Sequence, residues 1–269
     1  MDRITEENLN WKNKNLYKYR RPVDDCMNCS RRTDCLAGSL GSSQLLMFNN
    51  EVGRLRPYST GQNVYTAGEN FRGLYVVKSG FFKSNSVNPS GELQITGFHL
   101  PGETFGIEGF ASGHYNYSVE AVETGTVCRI PFSVFEHNNS SSIVLVRALA
   151  SLMSNAISHD NELIFSLAKM SAARRLAVFL VDLSSRMQRA GFSEKDLTLC
   201  MRRTDIGNYL GLAEETVSRI FTRFQKQGIL TVNRRYIEKY NLDKLQMIAR
   251  DDINVEKKHL SFFTSSKTH

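Results

Sequence analysis

Apolar positions are spread unevenly along the 269-residue chain and divide it into segments of different texture. Residues 1–47 are mostly polar, carry three cysteines and finish with Gly38, Gly41, Ser42 and Ser43 near their end. From 48 to 142 short alternating or apolar runs are separated by glycines, as in NVYTAGE, GLYVVKSGFFKSNSV, LQITGFHLPGETFG, YSVEAVETG and TVCRIPF. Short strands at near-regular spacing, bounded by Gly, Pro and Asn, predict an antiparallel roll or barrel. Residues 143–171 contain neither Gly nor Pro and predict one long helix, with Ser141 or Ser142 as its cap. Along it Val146, Ala150, Met153, Ile157, Asp160, Ile164 and Leu167 recur at alternating spacings of 4 and 3, a heptad seam with one acidic interruption. A second stripe, Leu145, Leu149, Leu152, Ala156 and Leu163, runs beside it. One stripe can pack on the parent domain while the other meets a second subunit. A helix buried on both sides is the alternative.

Residues 172–190 predict an amphipathic helix with Leu176, Phe179, Leu180 and Leu183 on its apolar face and Gly191 as its stop. The stretch TDIGNYLGLAEETVSRIF then carries a helix-turn-helix pattern between Thr204 and Phe224. Thr204 is the expected cap, Gly207 admits a second helix closely, and Gly211 supplies the tight turn. Ile206, Leu210, Leu212, Val217 and Ile220 fall where two crossed helices share a small core. ILTVNRRYIEKY predicts a two-stranded wing turning at Asn233 and Arg234, and the tail lacks periodicity, which predicts poor order. The fold class is α+β. A cysteine-bearing segment (1–47) precedes an antiparallel, cupin-like β-roll sensor domain (48–142). A dimerisation helix (143–171), a winged helix-turn-helix domain (172–251) and a tail (252–269) follow.

Composition narrows the functional classes. Hydrophobic residues at 41% and charged residues at 23% are ordinary for a globular protein and argue against low-complexity disorder. No apolar run approaches the roughly 18 residues of a membrane span, and the polar start MDRITEENLNWKNKNLYKYRRP lacks the apolar core of a secretory signal. A cytoplasmic protein with no membrane partner is therefore expected. Histidines are scattered and no nucleophile–base pair stands at a meaningful spacing, so an enzyme is not expected. The net charge of +7 gathers around Arg174–Arg175, Arg186–Arg189, Arg202–Arg203 and Arg219–Arg235, the footprint of a DNA-binding module in the C-terminal third.

The chemistry of the second helix of the motif fits a major groove. Arg219 can give a bidentate contact to guanine, Glu215 can accept from cytosine N4, and Ser218 can meet a thymine edge or a phosphate. Thr216, Arg223 and Lys226 suit phosphate contacts in double-stranded DNA. A palindromic site would require a twofold reader, which the heptad seam supplies as a homodimer. Cys26, Cys29 and Cys35 form a C-x2-C-x5-C array able to hold zinc or an iron–sulfur cluster. A fourth ligand must come from elsewhere. Cys128 is best placed by type, and Cys200 reads as a core or surface thiol.

These motifs together, with QITGFHLPGE, SAARRLAVFL and RTDIGNYLGLAEETVSRIFTRFQKQGIL, resemble the cyclic-AMP receptor and FNR superfamily, specifically its FNR branch of oxygen-responsive regulators. The resemblance runs from about Cys26 to Ile248. It implies that Cys26, Cys29, Cys35 and Cys128 bind an oxygen-labile 4Fe–4S cluster that promotes dimerisation. It further implies that Glu215, Ser218 and Arg219 read a TTGAT-N4-ATCAA-like palindrome, that Asp160 opposes dimerisation without the cluster, and that RNA polymerase is a partner. The same resemblance implies control of the shift to anaerobic or microaerobic metabolism. A same-fold regulator with structural zinc or a small-molecule effector is the alternative. A cyclic nucleotide is not expected, because HYNYSVEA (114–121) has no arginine to meet its phosphate. The chain departs from the branch in its longer C-terminal tail and in the loop NPSGEL (88–93), where members of the family touch RNA polymerase.

Overall fold

A computed structural model describes residues 25–250 except 56, 137–139, 193–196 and 234–235. Arg234 of the wing turn and the tail 252–269 lie outside the described residues.

The alternating runs form two four-stranded antiparallel sheets. In one the order is β1 (Gly53–Arg54), β8 (Thr126–Ile130), β3 (Leu74–Ser79) and β6 (Thr104–Phe105). In the other it is β2 (Asn63–Tyr65), β7 (Ser118–Ala121), β4 (Phe82–Val87) and β5 (Leu93–His99). Two short helices, α2 (Gly109–Ser112) and α3 (Ser133–Glu136), lie between and after the later strands. Strand alternation sends Tyr65, Phe82, Val119 and Ala121 of one sheet against Tyr75, Val77, Phe105 and Val127 of the other. Aromatic rings fill this interior. Tyr65 stacks on Tyr115 at 3.7 Å between centroids and Tyr75 on Phe105 at 5.4 Å. The buried Tyr115 hydroxyl is satisfied by donating to the Gly73 carbonyl at 2.8 Å.

The helix α1 (Ser42–Glu51) was not expected, because its apolar residues form one short run, Leu45–Phe48, without helical spacing, and it crosses the boundary at residue 47. It buries Leu45 and Phe48 against Leu145 and Leu149 of the long helix α4 (Ser140–Lys169). α4 begins at Ser140, so Ser141 and Ser142 sit in its first turn rather than at its cap. The Ser142 hydroxyl instead donates to the Val134 carbonyl at 3.1 Å, tying α4 to α3.

The two stripes of α4 separate as two faces. Leu145 and Leu149 are buried, with Leu152 packed on the same cluster and Leu163 on the C-terminal core, while Ala156 is exposed. Val146, Ala150, Met153, Ile157, Asp160 and Ile164 are all exposed to solvent. By length and composition alone α4 is apolar enough to cross a membrane. That departs from the expectation of only short apolar runs. The reason is that its apolar residues are interspersed with Ser, Asn and a few charged residues, which a search for unbroken runs stops at.

The C-terminal part is a winged helix-turn-helix. Ser171 caps α5 (Ala172–Arg189), accepting from the Arg174 N–H at 3.4 Å. Leu176, Phe179, Leu180 and Leu183 are buried along α5 as its amphipathic pattern predicts. The wing has three strands rather than two. β9 (Leu197–Thr198) pairs with β11 (Tyr236–Tyr240), which also pairs with β10 (Leu230–Asn233). A two-residue strand is too short to carry an alternation signal. A last helix, α8 (Leu242–Arg250), also unexpected, packs against α5 and buries Leu245.

Candidate nucleic-acid interface and cysteine site

The helix-turn-helix consists of α6 (Arg203–Leu210) and α7 (Glu214–Lys226). α6 starts one residue earlier than expected, so Thr204 lies inside its first turn. The capping role falls to Asp205, whose carboxylate accepts from the Arg202 backbone N–H at 3.1 Å. Gly211 ends α6 at φ +63°, a left-handed conformation suited to glycine. Gly207 is required by packing: a Cβ there would stand 2.6 Å from the Leu212 carbonyl oxygen. Ile206, Leu210, Val217 and Ile220 are buried between the helices, and Leu212 packs at their edge.

This core turns the opposite side of α7 outward. Glu215, Arg219, Arg223 and Lys226 are exposed, and Thr216 and Ser218 are half-buried. Four of these residues follow one another at positions 215, 219, 223 and 226, so they share a helix face. Acidic Glu214 and Glu215 in the first turn, and Arg223 and Lys226 in the last, agree with the helix dipole. The sequence reading missed Arg203, which reaches across from α6 to donate to Ser218 Oγ at 3.1 Å. Its signal was only its place in the Arg202–Arg203 pair.

The reading head is docked on the roll. Phe81, Ile95, Phe98 and Leu100 share one core with α5, α6 and α7. Asn208 of α6 caps the open edge of β5: its Oδ1 accepts from Ile95 N at 2.5 Å and its Nδ2 donates to Leu93 O at 2.7 Å. Buried Lys83 of β4 meets Asp205 at 3.2 Å and Glu120 at 3.7 Å. Arg186 of α5 forms a two-point pair with Glu103, at 2.8 and 2.6 Å. Arg186 offsets the burial that would raise the Glu103 carboxyl, and holds it below the usual carboxylate range. Neighbouring His99 is pushed down to about 4 by burial, and its Nε2 is enclosed without a hydrogen-bond partner.

Cys26, Cys29, Cys35 and Cys128 line one cavity, although the first three lie in the turns before α1 and the fourth on β8. The rest of the wall is Ala37, Phe48, Val52, Val76, Val77 and Ile130, with Arg31, Arg32 and Lys78. Burial raises the Cys26 thiol and carries Cys35 to about 11 and Cys128 to about 12. These thiols are neutral unless a cation offsets the desolvation of sulfur. Four soft donors around an apolar space match the ligand chemistry of an iron–sulfur cluster or zinc. Among the described residues, however, no three His, Cys, Asp or Glu side chains already stand in metal-holding geometry. Cys200 is buried in the C-terminal core, apart from this cavity. The sequence reading also missed Arg31, between Cys29 and Cys35. It donates to the Ala190 carbonyl at the end of α5 and lies 6.0 Å from the Phe192 ring centre.

Comparison with known proteins agrees with this architecture. Residues 174–248 match the Crp-like helix-turn-helix domain and residues 55–137 the cyclic nucleotide-binding domain. The chain is 39% identical over 230 residues to the fumarate and nitrate reduction regulatory protein of Escherichia coli (strain K12), covering 86% of this chain and 92% of that one. The protein of the same name from Salmonella typhi matches with the same identity and coverage. Among solved structures, FixK2 from Bradyrhizobium japonicum matches with a TM-score of 0.65 and 29% identity, covering 72% of this chain and 96% of that one. A CooA mutant from Carboxydothermus hydrogenoformans, at 22% identity, covers 74% of this chain and 88% of that one with a TM-score of 0.60, and so shares the fold. These relatives are regulators rather than enzymes, and their helix-turn-helix is a DNA-binding module. With both domains matched in order and this identity extending over most of both chains, the protein belongs to the CRP/FNR family of transcription regulators.

Proposed function

We propose that this regulator is oxygen-responsive and holds a 4Fe–4S cluster on Cys26, Cys29, Cys35 and Cys128. The observation that carries the reading is the convergence of these four thiols, from two distant segments, on one apolar-walled cavity. Cys26, Cys29, Cys35 and Cys128 would hold the cluster, which would supply an oxygen-sensitive centre. The chain's own part is to present the thiols, exclude water with Phe48, Val52 and Ile130, and carry the loop's order to α4 through Leu36 and Leu40.

In this reading the exposed seam of Val146, Ala150, Met153, Ile157 and Ile164 closes against a second copy. Asp160 sets the threshold, because two carboxylates facing each other across a seam repel. The dimer then presents two copies of α7 to a TTGAT-N4-ATCAA-like palindrome. Glu215, Ser218 and Arg219 contact bases, and Thr216, Arg223 and Lys226 contact phosphates. The relatives' name, which speaks of fumarate and nitrate reduction, supports control of the shift to anaerobic or microaerobic metabolism, and in this reading the protein acts in the cytoplasm with RNA polymerase as partner. The hairpin between β4 and β5 offers exposed Val87 and Leu93 for the polymerase contact. A cyclic nucleotide is disfavoured by the aromatic filling of the roll.

The test is iron and sulfide analysis with absorbance on anaerobically purified protein. About four irons per chain, with colour and dimer both lost in air, is the expected result. Stoichiometric zinc in a colourless sample, with DNA affinity indifferent to air, overturns it in favour of a structural metal.

A further inference from the structure

The structure assigns a role to Arg203: we infer that it positions the Ser218 hydroxyl as a hydrogen-bond donor and so sets the base preference at the step Ser218 reads. The inference rests on α7 being the base-contacting helix and concerns a residue outside that helix.

Two contacts fix the Arg203 head. Its guanidinium carbon lies 5.3 Å from the centre of the Phe221 ring, and Phe221 is itself buried in the core between the helices. Its Nη1 donates to Ser218 Oγ at 3.1 Å. A planar cation over an aromatic face has little rotational freedom, so the N–H fork is aimed before DNA arrives. A hydroxyl carries one O–H and two lone pairs. An ionised donor on one lone pair polarises the hydroxyl and strengthens it as a donor. No described residue takes the Ser218 O–H, and Ser218 is only half-buried beside exposed Arg219. The hydroxyl is therefore presented to an acceptor on the base edge.

Acceptors in the major groove are thymine O4, guanine O6 and N7 and adenine N7, whereas adenine N6 and cytosine N4 are donors, so a hydroxyl held as a donor disfavours cytosine above all. Without Arg203 the hydroxyl rotates freely and serves either kind of edge. A cation this close to the reading face also attracts phosphate, but that attraction is the same for every sequence. The two roles thus have different signatures. Positioning changes the preference at one base step, while phosphate attraction scales all affinities together.

The test selects duplexes from a randomised library with the full-length, anaerobically prepared dimer, then measures affinities for single-base variants of the selected site. Proteins compared are wild type, Ser218→Ala, Arg203→Met, Arg203→Lys and the Ser218→Ala/Arg203→Met double variant. Methionine keeps the stem against Phe221 and removes donor and charge, while lysine keeps both donor and charge. Arg203→Met is expected to flatten the preference by about 3- to 10-fold at the same step that Ser218→Ala flattens. The double variant should lose nothing more at that step, the step read by Arg219 should keep its preference, and Arg203→Lys, which keeps donor and charge but not the planar fork, should restore only part of the loss. Equal weakening on all duplexes, with preferences intact, overturns the positioning role and leaves the Ser218 assignment standing. No effect of Ser218→Ala at any step overturns both.

Discussion

At the scale of single residues, neighbours set what each side chain can do. Arg219 is exposed on α7, free to meet a guanine, and Arg219→Ala should cost roughly 1–3 kcal/mol of discrimination at that base in a binding titration. A residual preference equal to wild type would remove Arg219 from the reading set. His99 illustrates the opposite situation, a titratable group held neutral by enclosure. Its folded value of about 4 lies below the ordinary 6.5, so between these the unfolded chain binds a proton that the native protein does not. Stability is then fully present above about pH 6.5 and falls as the pH drops toward 4. The loss is on the order of 2 kcal/mol, less than the full shift would give, because the residue as a whole is only half-buried although its Nε2 is enclosed. Glu103, held below its ordinary range beside Arg186, adds a further loss at lower pH. Denaturant titrations should show a shallower decline between pH 6.5 and 4 in His99→Gln than in wild type, and parallel curves would refute the assignment.

At the scale of elements, α4 separates stability from assembly along one helix. Leu149 is buried against Leu36 and Phe48, and Leu149→Ala should destabilise the monomer by about 2–5 kcal/mol. Ile157 faces solvent, at 61% exposure, so Ile157→Glu should leave the unfolding midpoint of the monomer nearly unchanged. It should abolish the dimer seen by anaerobic size measurement. An intact dimer would move the interface elsewhere. Both stripes could be read from spacing, but which faced inward could not: Leu145 and Ile157 are equally apolar, and only the docking of the turn at Leu36–Ser39 and of α3 on one side decides. The caps were less legible. Ser141, Ser142 and Thr204 have the right chemistry for N-caps, yet each helix starts upstream, because a hydroxyl in the first turn satisfies the same local preference. α1 and β9 escaped for a related reason. α1 carries its two buried residues at the ends of the unbroken apolar run Leu45–Phe48, which has no helical period, and β9 exists only because β11 lies beside it.

At the scale of the whole molecule, contacts between distant segments carry the design. The cysteine loop meets β8 at the cavity and, through Arg31, the end of α5. Cys128→Ser should prevent cluster retention in anaerobic absorbance, whereas Cys200→Ser, in a different core, should retain it. Retention in both would place the fourth ligand outside this set. Asp160→Ala should yield a dimer that persists in air, since removing the carboxylate removes the repulsion from its symmetry mate. A monomer in air would assign Asp160 to a solvent-facing rim.

By itself the sequence determined the parts. Period-two alternation specifies the roll, heptad spacing the long helix, and the glycine positions with their apolar frame the helix-turn-helix. Each is a local pattern whose physical consequence acts within a few residues. Only the tertiary structure decided the meetings: four thiols around one space, Asn208 and Asp205 of α6 fastened to the roll, and Arg203 laid over Phe221 to hold Ser218. Such contacts arise where two faces happen to abut, and no short-range pattern along the chain encodes which charged side chain will find which partner.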